Sequence, residues 1–102
     1  MDSIKELIEV IRRVHGAEAT HVESVPVKEM FKGETVWEGI VEVFRLEGHP
    51  LTDRVYAWMH DTGDPANPKH VTVLHIHPVL SPVEAVRAFI IQEFRSNANA
   101  QA

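Results

Sequence analysis

Apolar residues at Ile4, Leu7, Ile8, Ile11 and Val14 recur at the spacing of one helical face, with Lys5, Glu6, Glu9, Arg12 and Arg13 on the remainder. Ser3 and Glu6 have the spacing of a capping box, and Gly16 stands where a left-handed terminator belongs, so a helix is expected over Ser3–Val14. A second amphipathic run follows Ser81-Pro82-Val83-Glu84, with Val83, Val86, Phe89, Ile90 and Phe94 in one stripe widened by Ala88 and Ile91. Ser81 serves as cap and Pro82 as first helical residue, and the helix is expected to end near Arg95.

Between the helices the period changes. Thr20–Phe31 reads as a strand, and Pro26 inside it places that strand at an edge or a bulge. Lys32-Gly33-Glu34 is a turn. Thr35–Glu47 is the longest strand candidate, apolar on both faces, with Glu38 and Glu42 on one of them. A strand of that kind is covered on both sides or lies inside an assembly. Gly39 within it marks a bulge or a close approach of another group. Arg54–Asp61 alternates Val55, Ala57 and Met59 against Tyr56, Trp58 and His60, and His70–His77 is the fourth strand. The intervening Thr62–Lys69 segment, with two prolines, reads as ordered turns.

This order implies an α+β fold: helix, four-stranded antiparallel meander, helix, in two layers with both helices on one face of the sheet. The length of 102 residues allows one domain, taken as 1–95, followed by a small polar tail at 96–102 expected to be disordered.

The net charge of −5 and the lack of a Lys/Arg cluster argue against a nucleic-acid partner. The absence of cysteine removes disulfides, thiolate chemistry and Cys-based zinc sites, and fits a cytoplasmic protein. No signal peptide is legible at the start and no run has transmembrane length, so no membrane role is expected. No cofactor motif is present, and none is expected.

Two layers would leave one sheet face open. With Val55, Ala57 and Met59 under the helices, Tyr56, Trp58 and His60 would lie on it, with Trp37 as neighbour. Contiguous aromatic surface marks an interaction site, read here as a homodimer interface through that face or the sheet edge, or as a surface for a small molecule or protein. The competing reading makes the rings core. His75-x-His77 is the single spacing with metal potential. His60 or Asp61 would supply a third ligand, with Glu38 and Glu42 in reserve, for zinc, iron or manganese. The same histidines, His60, His75 and His77, are the candidates for a metal-dependent or acid–base enzyme, although no nucleophile elbow, phosphate loop or metalloprotease motif appears. Binding is the preferred reading and catalysis the alternative.

Helix, antiparallel strands and helix are similar to the double-stranded-RNA-binding fold. That fold uses a lysine-rich start of its last helix to hold phosphates, and here the position reads Pro82-Val-Glu-Ala-Val-Arg87. The residues that would bind RNA are not there. The runs Val36-Trp-Glu-Gly-Ile-Val-Glu-Val-Phe44, Gly48-His-Pro50 and Tyr56-Ala-Trp58 resemble a family of small uncharacterised bacterial proteins, some carried on integron gene cassettes. The resemblance spans Thr35 to about Phe94 and implies a bacterial source without a chemistry.

Overall fold

In a computed structural model, which describes residues 3–60 and 69–100, the chain runs α1 (Ser3–His15), β1 (Glu18–Phe31), β2 (Glu34–Glu47), β3 (Arg54–His60), β4 (Lys69–Leu74) and α2 (Pro82–Ala100). The strands form one antiparallel sheet in the order β1-β2-β3-β4. The class and the element order are those expected from the pattern. Asp61 and most of the expected turn segment fall in residues 61–68, outside the described residues, as does the side chain of Phe94.

Local signals explain the element ends. Gly16 has φ +67° and its amide donates to the Arg12 carbonyl at 2.9 Å, which stops α1 in a left-handed cap. At α2 the Glu84 amide donates to Ser81 Oγ, and the Glu84 carboxylate accepts from Ser81 Oγ–H and the Leu80 amide, each at 3.2 Å. That is the reciprocal box the sequence announced. Lys32 and Gly33 have φ of 52° and 80°, the geometry of a two-residue type I′ hairpin joining β1 to β2. Pro26 lies on β1, an edge strand, where its missing donor costs no ladder bond.

The layering differs from expectation. Leu7 and Ile11 of α1 pack on Phe44, Leu46, Val55 and Ala57. Ala85, Val86 and Phe89 of α2 pack on Val41, Val43, Tyr56, Trp58 and Val71. These two sets alternate along β2 and β3, so they occupy opposite faces of the sheet. The helices do not share one face; they sandwich the sheet in three layers. The reason is already visible in β2 and β3, whose apolar residues on both faces demand two covers. Trp58 and Tyr56 are 2% and 1% exposed, and Val55 and Ala57 are fully buried as well.

Two further boundaries move. Of the polar end 96–102 expected to be a disordered tail, 96–100 continue α2 to Ala100, and 101–102 lie outside the described residues. The fourth strand is shorter than expected, ending at Leu74, so His75 and His77 do not form a same-face strand pair.

The sheet is also uneven. β1 and β2 pair along their whole length, with register shifts at His21/Glu23 and at Glu29/Met30. β3 pairs with β2 only from Glu42 to Arg45. The far half of the β1–β2 hairpin therefore projects beyond β3. Glu29 on that arm accepts a short hydrogen bond from Arg87 of α2, which ties the helix to it.

Candidate functional site

The open aromatic face does not exist. Tyr56 and Trp58 lie in the core beneath α2, which is the competing reading of the sequence, and the homodimer through an open sheet face loses its surface. Trp37 is half-buried and meets Trp58 edge to face at 5.5 Å between centroids. Phe89 meets Trp58 at 5.6 Å with perpendicular rings and also takes the ring of half-buried His60 at 5.1 Å. Among the described residues the buried Trp58 Nε1–H has no hydrogen-bond partner.

The histidines are not gathered. His60 pairs with Lys69 at one end of the β3–β4 ladder, while the His75 amide donates to the Arg54 carbonyl at the other. Six residues at about 3.3 Å each put roughly 20 Å between those ends. His77 is exposed in the turn after β4. Among the described residues no three His, Asp or Glu side chains converge where a cation could sit. Glu38 is exposed opposite Lys28, and Glu42 is held by other partners.

Two polar clusters that the spacing did not reveal are formed by the register. The Tyr56 hydroxyl lies 2.6 Å from His75 Nδ1. Burial raises the Tyr56 phenol above its ordinary value, with Arg54 opposing, so the proton stays on oxygen, and the imidazole tautomer decides which partner donates. The second cluster joins His21, Ser24 and Glu42. His21 Nε2–H donates to Glu42 at 2.9 Å, Ser24 donates to the same carboxylate oxygen, and Ser24 Oγ lies 3.4 Å from His21 Nε2. The residue types match a hydrolytic triad, but the order does not. In a working triad the imidazole stands between hydroxyl and carboxylate, using both ring nitrogens. Here one nitrogen touches both and the serine gives its hydrogen to the acid, so no base activates the hydroxyl.

A large concavity lies elsewhere, between the tip of the β1–β2 hairpin and the outer flank of α2. It has a volume of about 610 Å3 and is lined by Met30, Phe31, Val36, Ile90 and Ile91, with the Glu29–Arg87 pair in its wall. Its shape follows from local events. Val36 is the extra residue between Trp37, opposite Glu29, and Thr35, opposite Met30, and a bulge of this kind bends its strand locally. The Thr35 hydroxyl donates to the Met30 sulfur at 3.2 Å and sets that side chain. Phe31 remains 64% exposed and Ile91 52%. Hydrogen bonding to Glu29 raises the Arg87 guanidinium further above its ordinary value, so it stays charged and engaged.

The sequence showed Met30, Phe31, Val36 and Ile91 only as members of apolar elements. The signal that could have found them is excess: β2 and α2 carry more apolar residues than two faces and one stripe can bury. No family model, curated protein or solved structure matches this chain.

Proposed function

We propose that the protein is a small binding domain that takes an uncharged, largely apolar molecule in the groove between the β1–β2 hairpin and α2. The observation that carries this reading is the lining itself, five apolar side chains around one ion pair that is internally satisfied. A charged ligand would have to compete with Glu29 for Arg87 or with Arg87 for Glu29, whereas an apolar one leaves the pair intact. The volume falls inside the roughly 300–1,000 Å3 range of small-molecule sites. Phe31, Met30, Val36 and Ile91 are each about half exposed or more. Covering them would recover several kcal/mol at about 25 cal/mol per Å2.

The metal-dependent or acid–base enzyme has less support, since His60 lies at the opposite end of the β3–β4 ladder from His75 and His77. No helix among the described residues is long and apolar enough to cross a membrane. Cytoplasmic residence and kinship with the cassette-borne bacterial proteins belong to the same proposal and name no ligand.

The test uses N-phenyl-1-naphthylamine, an uncharged probe that brightens in apolar surroundings. The wild-type protein is expected to enhance its emission saturably, and Phe31→Asp and Ile91→Asp are each expected to abolish the effect. Leu51→Asp, at an exposed site that does not line the groove, should leave it unchanged. No saturable enhancement, or equal enhancement in both groove variants, overturns the reading.

A further inference from the structure

We propose that a second copy of this chain pairs antiparallel with β4 along its open edge, so that two four-stranded sheets become one continuous sheet. The hydrogen-bond register shows which groups that edge offers. His75 donates to Arg54, its directly opposite residue, so His75–Arg54 is a hydrogen-bonded pair of the β3–β4 ladder. Pairs alternate in an antiparallel ladder. Val71 and Val73 therefore bond inward to β3, while His70, Thr72 and Leu74 turn their amides and carbonyls outward. Of these outward groups, the Leu74 carbonyl accepts the Ile76 amide, and among the described residues no strand other than β3 pairs with β4.

The two edges of this sheet are treated differently by the sequence. The β1 edge carries Pro26, a bulge beside Val22, and the charges Glu18, Glu23 and Lys28. Each of these is a known device against edge-to-edge pairing. The β4 edge carries a single such charge, Lys69 at its start, which is paired with Glu93 of α2. Its register with β3 is unbroken over six residues, it contains no proline, and it carries Val71, Thr72 and Val73 at its centre. An edge whose central residues carry no such device is a template for another strand, and a second copy supplies an identical one.

The surroundings fit an isologous contact. The edge forms the floor of a groove of about 450 Å3 whose walls are Val10 and Val14 of α1 and Ala88 and Gln92 of α2. Val14 is 59% exposed, a large apolar residue at the end of an otherwise buried stripe. A two-fold axis at Thr72 sets Thr72 opposite its own copy and Val71 opposite the copy's Val73, both favourable cross-strand pairs. It also brings α1 beside α1 on one face and α2 beside α2 on the other, which covers Val14. A strand edge with two helix flanks is at the small end of interface sizes, so the dimer is expected to form and dissociate with concentration. This surface is distinct from the hairpin groove and does not depend on it.

Sedimentation equilibrium from low-micromolar to near-millimolar protein tests the pairing. The mass of the wild type is expected to rise from one chain toward two. Thr72→Pro removes an outward amide without touching the β3 ladder, and Val14→Lys puts like charges together across the axis while leaving the fold intact. Both are expected to stay monomeric at every concentration, and Val22→Lys on the β1 edge is expected to dimerise like the wild type. A wild type that is monomeric throughout overturns the proposal. So does a dimer that survives Val14→Lys, or one that Val22→Lys abolishes.

Discussion

Tyr56 and His75 are held together across the end of the sheet by a 2.6 Å hydrogen bond between the phenol oxygen and Nδ1. Tyr56 is almost wholly buried, so its hydroxyl has no water to fall back on. Removing one partner leaves the other unsatisfied, which costs about 1–3 kcal/mol, whereas removing both is closer to neutral. His75→Ala is therefore expected to lose about 1–3 kcal/mol in urea denaturation, and Tyr56→Phe about 1 kcal/mol. The double variant should lose less than the sum. Strict additivity would show that the two side chains are not coupled.

Trp58 tests the core that replaced the expected open face. Truncating a buried Trp to Ala costs about 3–5 kcal/mol, enough to threaten a small domain. Trp58→Phe keeps a ring between Trp37 and Phe89 and deletes the unpartnered N–H. The deleted polar group offsets part of the lost contact, so the expected loss is about half that of Ala or less. Thermal unfolding measured by calorimetry decides the ranking. If both variants melted like the wild type, Trp58 would not be core.

Periodicity and cap chemistry made both helices, the four strands and the edge position of β1 legible in the sequence. Ser81/Glu84, Gly16 and Pro26 each act through bonds to near neighbours, and that is why local spacing reveals them. The face assignment was not legible in the same way. Alternation in β3 separates Val55 and Ala57 from Tyr56 and Trp58, but it says nothing about how many helices are available to each side. The two-sided apolar character of β2 held the answer, because a helix on each face is the arrangement that buries both Val43 and Phe44. The histidines misled for a related reason. His75-x-His77 is a metal spacing only while the strand continues, and β4 ends at Leu74. The hairpin groove depends on a bulge at Val36 and on where α2 lies, and neither is encoded within a few residues.

Gly39 and Trp37 make a contact whose sign can be worked out. A Cβ built on Gly39 would stand 3.1 Å from Trp37 Cη2, so the ring must give way by a few tenths of an ångström. Replacing Gly with Ala at a compatible backbone position gains about 0.4–1 kcal/mol from the unfolded state. Trp37 is half-buried and can shift, so Gly39→Ala is expected to change stability by less than about 1 kcal/mol in either direction. The displaced ring should still alter the near-ultraviolet circular dichroism that Trp37 and Trp58 share. In a Trp37→Ala background the obstruction is gone, and the same substitution should stabilise by about 0.4–1 kcal/mol. A loss in that background would mean that backbone geometry, not the ring, requires glycine.

His15 gives the fold a dependence on pH. Burial, helped by the charge of His49, lowers the His15 pKa below its ordinary 6.5. Its Nε2 is hydrogen-bonded to Thr72 Oγ1 at 2.8 Å, and the His49 ring lies 6.2 Å away, centroid to centroid. In the window between the lowered folded value and 6.5, the unfolded chain binds the proton that the folded chain refuses. Stability therefore rises with pH there. The His15 contribution is fully present above 6.5 and is lost as pH falls through the folded value. Other histidines also stand beside carboxylates, His70 by Glu6 and His21 by Glu42. The informative quantity is thus the difference between the wild type and His15→Gln, followed by urea denaturation from pH 8 to pH 5. The wild type is expected to lose more stability than the variant on going from neutral to acid pH. Parallel profiles would show that His15 takes up its proton equally well in both states.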